Sequence, residues 1–227
     1  YMALGMGMGK TLTSLFGAKE VAKKHILLVA ELNEIENSKN FQKEVETHFP
    51  DLMYKSLRKT KLTDLADEYN YIIKGGMMSA CKSVVAGINP DSLAKLDLHL
   101  VKELFDVVIV DEATLAKSTT TDRFFALHSV CNLMDYVILL SGTPMLNGAS
   151  EIFAPLALMN HKMAGGCDKD VKKAFDIIFA QGHLQKMKNT GRYWLDYVWV
   201  AKGARHVREL RYLISDNFFF ANKEDTG

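Results

Sequence analysis

Three stretches of the sequence place glycine, hydroxyl and charged residues in patterns that suit phosphate chemistry. The first is LGMGMGKTLTS, which follows its glycine repeat with Lys-Thr. Glycines let the backbone curl until its N–H groups point at a phosphate, and the next helix adds its dipole. The alternative is a flexible turn ahead of a helix, because Leu4 stands where the general pattern has its first glycine. The predicted nucleotide-binding residues are Met6, Gly7, Met8, Gly9, Lys10, Thr11 and Leu12.

Two carboxylates follow the second stretch, the apolar run FDVVIV. We expect Asp111 and Glu112 at the carboxyl end of a parallel sheet, where a phosphate loop also lies. In this interpretation Thr11 and Asp111 bind Mg²⁺, Lys10 contacts the β- and γ-phosphates, and Glu112 orients the attacking water. The predicted catalytic residues are therefore Lys10, Asp111 and Glu112. An acidic helix start after a strand is the competing interpretation.

The third stretch, YVILLSGTPMLNG, is an apolar run that ends in small polar residues and a proline. Proline stops a strand, and hydroxyl groups in the turn could sense the terminal phosphate and pass its loss to a bound partner. The predicted coupling residues are Ser141, Gly142, Thr143 and Asn147. Ser-Gly-Thr-Pro alone is usually only a turn, so the order and spacing of the three stretches carry this prediction.

The elements that must position these residues alternate between apolar and amphipathic runs. This pattern is typical of an α/β fold, a parallel sheet with helices on its faces. Tyr1 to Leu4 is interpreted as the end of a strand. Further strands are predicted at residues 26–30, 52–57, 71–73, 107–110 and 136–140, with a short one in NFFFA. Helices are predicted at residues 10–24, 35–48, 92–104, 121–133, 149–159, 169–180 and 205–214.

Composition excludes several classes of function. The chain has 28 Lys and Arg against 27 Asp and Glu, so any site for a polyanion must be local. Its three cysteines lack the close spacing of a zinc site or a redox pair. No apolar run approaches the roughly 18 residues that span a bilayer. We expect an intracellular, soluble protein without membrane contact.

Together, the three stretches resemble motifs of helicase superfamily two, and specifically its Swi/Snf-type branch of DNA translocases. MGMGKT matches the family's Met-Gly-Leu-Gly-Lys-Thr except at Met8. Residues 111–114, DEAT, are similar to the Asp-Glu-Ala-His box, and residues 140–147, LSGTPMLN, to the third motif. The end of the chain is similar to the subgroup that anneals or remodels forked DNA.

The resemblance implies a fold, cofactors and partners. The fold is the first RecA-like P-loop NTPase lobe, with a mostly parallel sheet at residues 1–160 and a helical extension that ends the lobe at residues 161–227. The cofactors are ATP and Mg²⁺. The partners are double-stranded or forked DNA and a second RecA-like lobe that carries arginine fingers. Without that lobe we expect slow hydrolysis or none, because an arginine finger supplies about 10³- to 10⁵-fold in rate.

Departures from the family pattern leave other functions open. Thr114 replaces a histidine that couples hydrolysis to the third motif, and the paired arginines near the end are absent. The alternatives are a nucleotide-binding scaffold without turnover and a P-loop phosphotransferase for a small molecule. DNA contacts are predicted in NEIEN, in GGMMSA and at Asn147, with ordinary solvated loops as the alternative. The basic residues near Lys172 and from Arg205 to Arg211 are interpreted as solvated helix faces rather than DNA contacts.

Overall fold

The computed structural model describes residues 1–5, 8–37, 40–74, 83–116, 118–142, 148–186 and 197–221. Its strands are β1 Met2–Leu4, β2 His25–Val29, β3 Leu52–Ser56, β4 Ser83–Ile88, β5 Phe105–Val110, β6 Tyr136–Ser141, β7 Ala180–Lys186, β8 Tyr197–Ala204 and β9 Phe219–Ala221. Its α-helices are α1 Lys10–Val21, α2 Asn40–His48, α3 Leu62–Lys74, α4 Pro90–Leu93, α5 Leu98–Leu104, α6 Asp122–Cys131, α7 Phe153–Leu158, α8 Lys169–Phe179 and α9 Val207–Ile214.

Seven strands form a parallel sheet in the order β3-β4-β2-β5-β6-β1-β9. Val110 of β5 pairs with Leu139 of β6, and Ala3 of β1 pairs with Ser141 of β6. The carboxyl ends of β5, β6 and β1 therefore lie side by side at one edge of the sheet. Strands β7 and β8 form a separate antiparallel hairpin.

Helices cover both faces of the sheet, and β5 shows how the two layers are formed. Its six residues are all buried. Val107 and Ile109 pack with the layer of α1 and α2, whereas Val108 and Val110 pack with the layer of α3 to α9. Each buried Val or Ile side chain contributes about 1.5–3 kcal/mol. Burial on both faces explains why these strands read as continuous apolar runs.

The strand predicted at residues 71–73 is wrong, because these residues belong to helix α3. Leu62, Leu65, Ala66 and Tyr69 recur at helical spacing, and all four pack on the core. This periodicity outweighs the short run of β-prone residues that follows it. The sequence pattern did not predict β4, the strand between β3 and β2, which has the sequence SVVAGI.

The helix predicted at residues 92–104 is two helices, α4 and α5. The break lies at Asp97, whose carboxylate accepts a hydrogen bond of 2.8 Å from the His99 N–H and caps α5. The helix predicted at residues 35–48 is a π-helical turn, Asn33–Asn37, followed by α2, with residues 38–39 outside the described residues. The helix predicted at residues 149–159 begins as a 3₁₀ turn, Ala149–Ile152, and continues as α7. The remaining predicted strands and helices are present with shifted ends, and the strand predicted in NFFFA is β9.

The later part of the chain contains an element that the sequence pattern did not predict, the β7–β8 hairpin. Residues 161–227 also supply β9, which pairs with β1 in the main sheet. The division of the chain at residue 160 stays a prediction. None of the described helices is long and apolar enough to cross a membrane.

Candidate nucleotide-binding site

Helix α1 begins directly after the glycine loop. Its N-cap, Gly9, has a left-handed backbone with φ 71°, which glycine adopts at little cost. A Cβ atom at Gly9 would meet no atom within 4 Å, so the space beside it is open. Among the described residues no side chain caps this helix, and its first turn holds no acidic residue. Its N–H groups and its dipole therefore suit an external anion.

The phosphate-loop lysine contacts the end of another strand. Lys10 Nζ lies 3.5 Å from Oε1 of Glu112, which comes shortly after β5. The Lys10 side chain is only 18% exposed, and that of Glu112 is 44% exposed. Because Glu112 is this accessible to solvent, the pair contributes little to stability, about 0–1 kcal/mol. Its importance is that it brings the first and second predicted stretches together.

Glu112 has a left-handed backbone, with φ 47°. A residue with a side chain adopts this conformation at a cost of the order of 1–3 kcal/mol, and such residues cluster at functional sites. The turn here ends β5 and allows the Glu112 carboxylate to meet Lys10. The short 3₁₀ helix Ala113–Ala116 follows at once and contains Thr114.

Asp111 is held at the end of β5 by its backbone, since its N–H donates a hydrogen bond of 2.8 Å to the Val29 carbonyl oxygen. Burial is the main cause that raises the pKa of Asp111 to about 6, and the charge of Glu112 acts in the same direction. Lys10 opposes the shift, whereas Glu34 adds to it. A divalent cation bound beside Asp111 would favour the charged form of its carboxylate and so lower this pKa.

The third predicted stretch reaches the same place. A Cβ atom at Gly142 would lie 3.1 Å from Lys10 Nζ and 4.0 Å from Glu112 Oε1. The preceding residue, Ser141, is fully buried at the end of β6. Lys10, Glu112 and Gly142 therefore form one cluster from three separate strand ends.

The remaining predicted residues of the site have different outcomes. Thr11 and Leu12 are partly buried at the start of α1, and Met8 is partly buried just before it. Met6, Gly7, Thr143 and Asn147 lie outside the described residues, as does the segment GGMMSA. The NEIEN segment is a single π-helical turn, Asn33–Asn37, whose Glu34 faces Asp111 closely enough to raise its pKa.

Two features near the site could not be predicted from the motifs. The Tyr1 hydroxyl is buried; burial raises its pKa to about 12, and the nearby Ser141 side chain opposes that shift. The second feature is a backbone bridge between Gly148, just after the third motif, and Gly203 of the hairpin. The only signal for it in the sequence is a glycine at each position.

The donors at the carboxyl edge fit a magnesium-bound nucleotide. Hydroxyl and carboxylate oxygens, such as those of Thr11 and Asp111, are ligands that Mg²⁺ accepts. Lys10 and the N-terminus of α1 supply positive charge beside them, and Gly9 leaves open space.

A family model described as the SNF2-related domain matches residues 2–219. The chain belongs to the SNF2-related domain family. The resemblance to Swi/Snf-type ATPases predicted from the motifs is therefore confirmed.

Curated relatives of this SNF2-related chain are larger proteins. It is 22% identical over 216 residues to a SWI/SNF-related matrix-associated actin-dependent regulator of chromatin subfamily A-like protein 1 from Xenopus tropicalis, a match that covers 95% of this chain and 20% of that protein. It is 25% identical over 215 residues to the DNA annealing helicase and endonuclease ZRANB3 from Bos taurus, covering 93% of this chain and 18% of that protein. The chain thus spans about a fifth of these relatives.

Solved structures confirm the predicted fold. The Sulfolobus solfataricus SWI2/SNF2 ATPase core in complex with dsDNA superposes with a TM-score of 0.64 at 21% identity, covering 99% of this chain and 40% of that one. The Sulfolobus solfataricus SWI2/SNF2 ATPase core domain superposes with a TM-score of 0.62 at 19% identity, covering 100% of this chain and 40% of that one. The SNF2-related chain therefore has the α/β fold of a RecA-like lobe.

Proposed function

We propose that this chain is the ATP-binding lobe of a DNA-dependent ATPase that moves along double-stranded or forked DNA. The observation that carries the proposal is the cluster of Lys10, Glu112 and Gly142, in which three separate strand ends meet. Membership of the SNF2-related family supports the reaction class. A solved neighbour described as an ATPase core in complex with dsDNA supports duplex DNA as the partner.

The proposed roles follow from the positions of the side chains. Thr11 and Asp111 hold Mg²⁺, and Lys10 and the first N–H groups of α1 bind the phosphates. In this position Mg²⁺ would supply the positive charge that stabilises the transferred phosphoryl group. Lys10 exchanges its contact with Glu112 for a phosphate oxygen, and this frees the Glu112 carboxylate to orient a water molecule and accept its proton.

The third motif supplies the proposed link to DNA. Gly142 lies beside Lys10, and Ser141 is buried directly before it, so a change at the terminal phosphate acts on this turn. We propose that Ser141, Gly142, Thr143 and Asn147 pass this change to bound DNA. The second RecA-like lobe, with its arginine fingers, is proposed to lie in the remainder of a longer protein.

The test is ATP turnover by the protein extended through its second lobe, measured with and without duplex DNA. We expect DNA to increase turnover, and Glu112→Gln to reduce it by about 10²- to 10⁴-fold while ATP still binds, since the variant loses the general base. Equal ATP turnover with and without DNA would favour the phosphotransferase. Binding without turnover in the wild-type protein would favour the scaffold.

A further inference from the structure

One face of helix α8 forms a groove that is separate from the nucleotide site. The helix buries Phe175 and Phe179 against the core. Another face of α8 carries residues 169, 172, 173, 176 and 177, which are spaced three and four apart and therefore lie on the same side of the helix. With one residue after the hairpin, they line a cavity of about 550 Å³; the described lining residues are Lys169, Lys172, Lys173, Asp176, Ile177 and Arg205.

The groove combines positive charge with exposed apolar surface. Ile177 is 63% exposed, and the methylene stems of the lysines extend the apolar area around it. Lys172 is paired with Asp176 at 2.6 Å. Lys169 and Lys173 have no ion-pair partner within the described part of the chain. Among the described residues, the positive charge of these two lysines at the rim is therefore uncompensated, and it lies beside the apolar surface around Ile177.

Arg205 is fixed in place at one end of the groove. Its Nε donates a hydrogen bond of 3.0 Å to the Ala180 carbonyl oxygen, and its Nη2 donates one of 2.8 Å to the Ile177 carbonyl oxygen. These bonds satisfy carbonyl groups at the C-terminus of α8. Because the side chain is already ordered, a ligand loses little entropy in contacting its remaining N–H groups.

The groove is connected to the segment after the third motif. Lys172 Nζ donates a hydrogen bond of 3.1 Å to Ser150 Oγ and lies 5.6 Å from the centre of the Phe153 ring. Ser150 belongs to the 3₁₀ turn Ala149–Ile152, close behind Gly142 in the sequence. A ligand that moves Lys172 therefore acts on the turn that follows the third motif.

We propose that this groove docks an acidic amphipathic segment of a partner protein. Carboxylates of the segment contact Lys169 and Lys173, and one of its apolar side chains covers Ile177. Duplex DNA matches the charge but offers phosphates and sugars to the exposed isoleucine, whereas a protein segment buries it. Occupancy is transmitted through Lys172 and Ser150 to the nucleotide site; this second part rests on the proposed function.

The binding test uses the 227-residue chain and a fluorescein-labelled peptide of repeating Leu-Glu-Glu triplets, followed by fluorescence anisotropy. We expect Lys173→Glu and Ile177→Asp each to weaken binding about tenfold or more, which corresponds to about 1.4 kcal/mol. Ile178→Asp is the matched control, because Ile178 is 50% exposed on the same helix but does not line the groove. Ile178→Asp should leave the affinity for the peptide unchanged. Thermal unfolding should confirm that each variant is folded.

Three results of this titration would overturn the docking proposal. They are no binding of the peptide to the wild-type chain, equal loss in Ile178→Asp, and equal binding of a peptide whose glutamates are all replaced by glutamine. A further result would assign the groove to nucleic acid instead: the wild-type chain binds duplex DNA but not the peptide, and Lys173→Glu abolishes the DNA binding.

The second test measures coupling with a fluorescent ATP analogue, with and without saturating peptide. We expect the peptide to change ATP affinity about fivefold or more, and ATP to change peptide affinity by the same factor. Ser150→Ala should keep peptide binding and lose this coupling. Peptide binding with unchanged ATP affinity would overturn the coupling alone. A chain that binds peptide and no ATP would contradict the proposed function and leave the docking groove intact.

Discussion

Gly142 leaves the space that the tip of Lys10 occupies. A Cβ atom there would lie 3.1 Å from Lys10 Nζ, which is shorter than an ordinary van der Waals contact. We expect Gly142→Ala to displace the lysine and weaken ATP binding about tenfold, with little change in stability because the lysine tip can move. Titration with a fluorescent ATP analogue, together with urea unfolding, measures both effects.

Gly17→Ala is the matched control for Gly142→Ala. Gly17 lies inside α1, where a Cβ atom would meet nothing within 4 Å. The alanine should leave ATP affinity unchanged and increase stability by about 0.4–1 kcal/mol. Wild-type affinity in Gly142→Ala would show that the third motif does not crowd the lysine.

His25 makes the stability of the fold depend on pH. Its Nδ1 accepts a hydrogen bond of 3.2 Å from the Val84 N–H, and the residue is 3% exposed. Burial, with a smaller effect of Lys55, lowers its pKa from 6.5 to about 4. Below about pH 6.5 the unfolded chain therefore binds a proton at His25 that the folded chain excludes. As far as His25 is concerned, the free energy of unfolding is unaffected above about pH 6.5 and falls as the pH decreases towards about 4.

Because of His25, we expect the free energy of unfolding to decrease by about 2 kcal/mol between about pH 7 and pH 5. Urea unfolding at several pH values measures it, and the difference between wild type and His25→Gln isolates this residue from other histidines. Parallel pH profiles for the two proteins would contradict the assignment of a neutral, buried imidazole.

At the scale of elements, the β7–β8 hairpin is held to the segment after the third motif by two glycines. A Cβ atom at Gly148 would lie 2.2 Å from the Gly203 carbonyl oxygen, a distance that no structure tolerates. Both glycines also have positive φ, 146° and 85°. Any side chain at Gly148 must therefore separate the two backbones.

We expect Gly148→Ala to detach the base of the hairpin and to cost about 1–3 kcal/mol in stability. Hydrogen exchange should become faster in β7 and β8 and stay unchanged in β5, which serves as the internal reference. Unchanged exchange throughout would mean that the bridge does not hold the hairpin.

The sequence predicts an element correctly where the residues of that element alone show its burial pattern. It fails where the structure depends on contacts between residues far apart in the chain. Residues 107–110 read as a strand because β5 is buried on both faces. Residues 71–73 mislead because the helical periodicity that decides them lies earlier in α3. The bridge from Gly148 to Gly203 joins segments far apart in the chain, so no local pattern reveals it. The meeting of Lys10 with Glu112 follows from the motif order, which places both at carboxyl ends of strands.

At the scale of the whole molecule, the proposed phosphate-binding residues that the structure describes lie at one edge of a single parallel sheet. The net charge of +1 gives no general attraction for DNA, so the proposed DNA affinity would have to come from local contacts. The proposed arginine fingers must approach this edge from a second lobe. The α8 groove contacts the turn that follows the third motif through Lys172 and Ser150, and its described lining residues include none of the nucleotide site. The proposed partner segment would therefore leave the nucleotide site open.

The most direct test of the central claim is the affinity of the chain for a fluorescent ATP analogue in the presence of Mg²⁺. Lys10→Ala removes the proposed phosphate contact, and Lys43→Ala changes an exposed lysine on α2 as the matched control. We predict that the wild type and Lys43→Ala bind equally and that Lys10→Ala binds about tenfold more weakly or worse. Equal binding by a folded Lys10→Ala variant would contradict the claim that the three strand ends form a nucleotide site.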